Sequence, residues 1–434
     1  MTDAWSEIAR TFDHRIVLSR EWDELVAQVR TLEGFEDFLQ SPRLETLLPV
    51  AEDGPVAVIN ISQRHCDALI VTTTGVEVAE LPQLSAESVT EKAGDYLRVQ
   101  QQADKAAQDL LVARQRYDCG DRRLDAISQY TQAKGALRDA ERDRDQTLAA
   151  VLAWLWDKIA DPVLSALGLL SIPGPDQPWP RLWWCPTGLL TLLPLHAAGH
   201  YDASGRSSGR AVPDRVVSSY TPTLRALLEA RRPLESPLDD EQILVVALEE
   251  TPGEPLLGDV TRERELIASL FADHCTLLQG EAATWQAVRD ELPRHRWAHF
   301  SCHGGQDLAD PSHGGLLLHD RLLTIADING QYRGEFAFLS ACMTATGSTK
   351  LPDEAITLAA ALHYAGYRHV IGTLWSVYDQ TAADVAELVY SELTSTGKFE
   401  PTKSAHALHT AICSLRDHGG IPPSAWVPFT HTGP

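Results

Sequence analysis

The sequence predicts an α/β protein in which a mostly parallel sheet is flanked by helices on both faces. From Gln242 onward, short apolar runs alternate with helical patterns, and right-handed crossovers between parallel strands then place helices on each side of the sheet. Two of the runs, WAHFSCHGG (Trp297–Gly305) and FAFLSACMTATG (Phe336–Gly347), are nearly continuously apolar before giving way to small residues. That is the signature of central, doubly covered strands rather than of amphipathic helices. A chain of 434 residues with 44% hydrophobic content is long enough for two or three domains and a sizeable core.

The chain in order supports this layout. Residues 1–48 are helical in pattern, with Leu25, Val29 and Leu32 at helical spacing and a Gly34 break before Phe35, Phe38 and Leu39. No self-similarity at a period of about 34 residues precedes or accompanies this segment. Pro55 to Ser62 and Cys66 to Thr73 read as a strand hairpin around polar QRH. From Ser88 to Leu169 the pattern is helical, and Asp118–Asp145 is so charged that a solvated helix or an excursion from the body is expected, with a docking surface as its functional reading. Four prolines between Pro173 and Pro180 mark a loop before RLWWCPTGLLTLLPL returns to the core, with a turn at Pro186 to Gly188. Leu234–Asp240 reads as a linker.

The second part alternates more cleanly. Gln242–Leu248 is a buried strand, and a helix follows that starts at Asp259 or Thr261. Cys275–Leu278 is a short strand, with another helix from Thr284. The run ending at His303, the segment Gly314–Thr324, the run ending at Cys342, a helix from Asp353, a strand at His369–Trp375 and two closing helices complete it.

Composition excludes several function classes. A net charge of −23 argues against nucleic acid as a direct partner. Seven cysteines without a CxxC pair fit a reducing compartment. The absence of a signal-like start and of any apolar run of about 20 residues points to a cytoplasmic protein with no membrane partner.

His303 and Cys342 close two strands that the pattern places in one sheet, at the carboxyl rim where open α/β sheets bind ligands. Neighbouring strands lie about 4.8 Å apart, so the imidazole and the thiol can reach one another. A cysteine ending an apolar strand is often only a small core residue. Here Gly304 and Gly305 follow the His, and Met343 to Gly347 follow the Cys, opening loops in which backbone N–H groups can approach a carbonyl. A free thiol has a pKa of about 8.5 and needs a base, which His303 would supply. His299 lies mid-strand and Cys302 faces away from His303 by alternation, so both read as structure. His196, in an apolar PLHAAG context, reads as a hydrogen-bonded core residue. The 16 His residues include no HExxH pair, and no phosphate-binding GxxxxGK[ST] occurs, so no metal and no cofactor is expected.

At these residues the chain resembles a known family. HFSCHG, LSAC with its hydroxyl-rich sequel, DEAITLAAALHYAG (Asp353–Gly366) and GTLWSVYDQTA (Gly372–Ala382) are similar, in order and spacing, to the CHAT family of caspase-like cysteine peptidases, relatives of separases and gingipains. Arg20–Leu39, Trp184–Gly199 and Ser218–Leu228 resemble what precedes the peptidase core there. The resemblance implies a caspase-like three-layer fold, with an N-terminal helical segment (1–48), an inactive caspase-like half (50–235) carrying the charged excursion (118–145), and an active half (236–434). It further implies Cys342 as nucleophile, His303 as base, and the N–H groups of Gly304 and Cys342 as oxyanion hole. Clan relatives that cut after Arg or Lys place a carboxylate in the pocket for that residue. The position two residues before the nucleophile is Ser340 here. A second position is Asp379, in a WxVxD pattern with Trp375 and Val377, although an Asp at a helix start is also an ordinary cap. Asp353 and Glu354 are further candidates. The implied partners are a dedicated protein substrate, such as a gasdermin-like pore former from a neighbouring gene in a defence or cell-death pathway, and an activating sensor protein or repeat region. An idle scaffold of the same fold is the alternative.

Overall fold

The computed structural model describes the chain except residues 1–16, 33–39, 41, 119–123, 175–176, 203–204, 233–240, 307–309, 311–312, 329–331, 347–356 and 418–419. It divides into residues 1–49 and a large unit from Val50 to Pro434. The first unit contains helix α1 (17–29) and a short helix α2 (Leu44–Leu47). In α1 it is Val26 that is buried, whereas Leu25, expected on an inward face, is exposed together with Trp22.

The large unit is organised by one sheet that, among the described residues, has 11 strands in the order β3-β2-β1-β4-β5-β14-β13-β12-β8-β6-β7. The edge is a meander of β1 (Val56–Asn60), β2 (Asp67–Thr72) and β3 (Gly75–Glu80), all antiparallel. The first two form the expected hairpin, while β3, with exposed and half-buried residues only, left no apolar signal. Parallel to β1 run β4 (Arg181–Pro186) and β5 (Val217–Tyr220). The other side is built from β6 (Ile243–Ala247), β7 (Cys275–Gln279), β8 (Trp297–Ser301), β12 (Phe336–Ser340) and β13 (His369–Thr373), all mutually parallel. Between the two sides lies β14 (Phe429–Thr432), antiparallel to β13 and parallel to β5. Its FTHT sequence is too polar to read as a strand, yet all four residues are buried. A small separate sheet of β9 (Gly304–Gly305), β10 (Gly315–Leu317) and β11 (Leu322–Thr324) hangs off the end of β8.

Alternation along the central strands divides the core. Ile243, Val245, Trp297, Phe336, Phe338 and Ile371 join one buried cluster, and Leu244, Val246, Ala298, Phe300, Leu339 and Val370 join the other. The first face is covered by α3 (Ala86–Asp118), α4 (Leu124–Leu155) with its continuation Trp156–Ala160, and α5 (Asp161–Ala166). It also receives α7 (Val260–Phe271), α10 (Asp379–Leu393), α11 (Ser404–Asp417) and α12 (Pro423–Trp426). The second face receives α8 (Trp285–Glu291) and α9 (Leu358–Ala365), the latter in contact with α6 (Leu224–Arg231). Three layers result. Helices α3 and α4 form an antiparallel hairpin, each about 50 Å long at 1.5 Å per residue. Buried residues cluster at its base, from Val89 to Ala103 and from Leu148 to Leu155. The charged stretch from Leu124 to Asp145 is therefore helix, and all but its last turn lies on an arm that runs beyond the body.

Helix starts follow ordinary capping chemistry, as where the Thr284 and Thr357 side chains accept N–H bonds from the first turns of α8 and α9. The beginning of the helix expected from Asp353 lies outside the described residues. Among the described residues no helix is long and apolar enough to cross a membrane.

Candidate active site

Strands β8 and β12 are adjacent and parallel, with Ser301 paired to Ser340. His303 and Cys342 each lie two residues beyond that pair, so the register alone brings the imidazole and thiol to neighbouring positions on the carboxyl rim. Both also share the parity of His299 and Phe338, whose side chains face the layer of α7 and α10. Cys302 has the opposite parity and is buried in the second cluster.

The two loops are pressed together at their backbones. A Cβ on Gly304 would meet the Cys342 carbonyl oxygen at 2.8 Å, so only glycine admits this approach. After Cys342 the chain turns sharply through Met343, a non-glycine residue at φ 55°. The turn is fastened to β13. Thr344 Oγ1 accepts from Thr373 N at 2.9 Å, Ala345 N donates to the Thr373 carbonyl at 2.8 Å, and Thr373 Oγ1 donates to the Ala341 carbonyl at 2.7 Å.

His303 Nε2 lies 2.8 Å from the carbonyl oxygen of Pro255, in the loop between β6 and α7. A carbonyl can only accept, so Nε2 carries the hydrogen and Nδ1 is left as the acceptor nitrogen. The residue that orients the imidazole is thus a backbone carbonyl. No sequence signal marked Pro255, because any residue type supplies that group.

Burial raises the Cys342 thiol above its usual range. The Val377 N–H and the Ser376 hydroxyl work in the opposite direction, while the Asp104 and Asp379 carboxylates add to the rise. Asp379 is itself raised, first by burial and then opposed by the hydrogen bond that its Oδ2 accepts from Gly258 N at 2.9 Å. It sits at the first position of α10 after Tyr378. Its carboxylate is directed to the Gly258 loop and within electrostatic reach of His303, so the ordinary cap is not what it makes.

Ser340 is buried, and its hydroxyl donates to Glu263 Oε1 at 2.8 Å. The other carboxylate oxygen of Glu263 is 2.8 Å from His299 Nε2, and His299 Nδ1 is 3.2 Å from the Tyr390 hydroxyl. The position two residues before Cys342 therefore has no charge of its own but stands against a buried carboxylate from α7. His299 is structural, as its mid-strand position suggested. Asp353 and Glu354 lie outside the described residues. His196 is buried, with Nδ1 3.0 Å from Tyr220 OH and Nε2 2.9 Å from the Val427 carbonyl. Among the described residues no group of three His, Cys, Asp or Glu is arranged to hold a metal ion.

Comparison with known proteins finds similarity at two levels, family and fold. Residues 149–434 match the family model of the CHAT domain. In fold, the chain is similar to Saccharomyces cerevisiae separase as seen in its complex with securin, with a TM-score of 0.57 at 11% identity over 90% of this chain and 31% of that one. A second structure of the same complex gives 0.55 at 10% identity, over 89% and 30%. The fold is thus that of the caspase-like peptidases, and the chain spans about a third of the separase length. The Arg-specific gingipain R of Porphyromonas gingivalis is a more distant match, with a TM-score of 0.41 at 13% identity over 64% of this chain and 68% of that one. No curated protein matches the sequence.

Proposed function

Because the chain belongs to the CHAT-domain family of caspase-like cysteine peptidases, we propose that it is a cysteine endopeptidase acting through Cys342 and His303. The observation that supports this reading is the paired register of β8 and β12 together with the close backbone approach at Gly304, which brings the two residues to neighbouring positions on the rim. His303 Nδ1 takes the thiol proton as Sγ attacks the peptide carbonyl, and the N–H groups of Gly304 and Cys342 receive the oxyanion. The C–N bond breaks as the imidazolium gives that proton to the leaving amine, leaving a thioester on Cys342. Water, deprotonated by His303, then hydrolyses the thioester and restores the thiol.

Asp379 is the proposed carboxylate for a basic residue before the cut, since a guanidinium or ammonium leaving water needs an anion. Ser340 lines the same region, and Asp353 and Glu354 remain second candidates for the pocket. The substrate is proposed to be a dedicated protein partner, such as a gasdermin-like pore former encoded nearby, within a defence or cell-death pathway. Control is proposed to come from a sensor protein or repeat region. The test is incubation of wild type and Cys342→Ala with neighbouring-gene products. Cleavage by wild type alone supports the reading, and equal patterns from both overturn it.

The raised thiol favours one other reading, an idle scaffold that keeps Cys342 neutral and uses the fold to bind protein. That reading requires Cys342 to resist alkylation at neutral pH even in the presence of every partner that the protein captures.

A further inference from the structure

The base of the α3/α4 hairpin grips the loop that serves the Cys342 sulfur. The loop runs through Trp375, Ser376, Val377 and Tyr378, directly after Thr373 and Leu374, whose backbone and side-chain bonds fasten the segment around Cys342. Each outer member is held by the hairpin. The Trp375 ring meets Tyr96 of α3 edge-on, with centroids 5.1 Å apart. The Tyr378 hydroxyl donates to Glu141 of α4. Arg144 is buried, and its Nη2 donates to Ser424 Oγ at 2.8 Å, while the Ser424 carbonyl accepts from Trp375 Nε1 at 3.1 Å. The circuit therefore passes from α4 through Ser424 to one end of the loop and directly to the other. From α3, Tyr96, Gln100 and Asp104 form a hydrogen-bonded row, with Gln100 Nε2 donating to Asp104 Oδ1 at 3.1 Å.

We propose that Tyr378, Glu141 and Arg144 are positioning residues for the peptidase reaction: they hold the 375–378 loop, which continues from the strand end that fastens the Cys342 turn, in place beside the thiol. The physical ground is that an isolated four-residue loop does not hold one conformation, since each unfixed backbone residue gains conformational entropy by moving. A clamp at both ends removes that freedom. The long arm beyond the clamp is then a lever, because displacing α4 relative to the body moves Glu141 and Arg144 together. The proposal rests on the reading of Cys342 as nucleophile, but its central test needs no substrate.

The experiment measures the rate of Cys342 alkylation by iodoacetamide as a function of pH, followed by mass spectrometry of the peptide that contains Cys342. It compares wild type with Tyr378→Phe, Arg144→Ala, Arg144→Lys, Glu141→Gln and, as a benchmark, Ser376→Ala. Tyr378→Phe keeps the ring and removes only the clamp hydroxyl, so it guards against a variant that fails to fold. At pH 7.5 the expected result is alkylation about tenfold slower in Tyr378→Phe and Arg144→Ala, with the midpoint moved up by about one pH unit, as in Ser376→Ala. Arg144→Lys should recover most of the rate. Where a cleavable substrate is known, kcat should fall with KM within about twofold. An unchanged alkylation profile, with or without a lower melting temperature, would overturn the proposal and make the clamp ordinary packing. Slowed alkylation in a protein that cleaves nothing would uphold the clamp and overturn the peptidase reading instead.

Discussion

Two rims of the same sheet present a Cys and a His in different states. At the ends of β4 and β5, the Cys185 thiol is buried and pushed up to about 12, with Sγ against the Pro222 carbonyl at 3.7 Å. His196 nearby has both ring nitrogens engaged by protein and is pulled down to about 4 by burial. At the ends of β8 and β12, His303 has one nitrogen fixed by Pro255, and the Val377 N–H and Ser376 hydroxyl oppose the rise that burial gives the Cys342 thiol. The lesson is that residue type and strand position do not distinguish the proposed reactive pair from a structural one. What distinguishes them is whether polar valences are left over after folding, because a buried ring with both nitrogens engaged by protein has no acceptor nitrogen free for a substrate or a thiol.

That comparison can be broken at several points. The largest expected effect is on the second rim: Cys342→Ala or His303→Ala should lower peptide cleavage by several orders of magnitude with little change in melting temperature. His196→Ala should do the reverse, lowering thermal stability and sparing most turnover. A loss of cleavage in a folded His196→Ala protein would erase the distinction between the rims. Next, Gly304→Ala introduces a methyl at 2.8 Å from the Cys342 carbonyl, which the backbone must yield to. A loss of about 10–100-fold in kcat/KM is expected, of the size seen when an oriented donor is misplaced, and stopped-flow acylation would show it. Asp379→Ala should shift cleavage away from basic residues in a peptide library while leaving alkylation of Cys342 within a few fold.

The smallest and broadest effect concerns pH. His196 and His409, both lowered to about 4, and His369, lowered to about 3, are held neutral mainly by burial. Their folded values lie below the unfolded value near 6.5, so the unfolded chain binds more protons below that pH. Their contribution is fully present above about pH 6.5 and declines as the pH falls toward 4. Urea midpoints measured between pH 8 and pH 4.5 should fall accordingly, and a flat profile would contradict the burial of this group.

Much of this was legible in the sequence because the central strands are apolar on both faces and end in small residues, which is a long-range property written locally. Ile243–Ala247, Trp297–Ser301 and Phe336–Ser340 all lie within the runs that the pattern marks. The polar elements were not legible. β3 packs on one side only, and β14 buries Thr430, His431 and Thr432 by pairing them, with His431 3.1 Å from His369 and 2.7 Å from Ser219 Oγ. No local pattern reports such pairing. The site was read to the same limit. The side chains His303 and Cys342 stand out in their motifs, whereas the Pro255 carbonyl, the Val377 N–H and the distant Asp104 acquire meaning only through contact across the fold.

The place of β14 also bears on how this protein comes into being. Residues 429–432 join β5 on one side and β13 on the other, so the two parts of the sheet have no shared strand until that segment has left the ribosome. Each part can pair its own strands earlier, since their separations in sequence are shorter, but the seam closes late and over a long separation. β13, which anchors the Cys342 turn, has an unpaired edge during that interval. The order of synthesis thereby acts as a clock, and a nascent chain carries its thiol and imidazole for some time before the sheet that aligns them is complete.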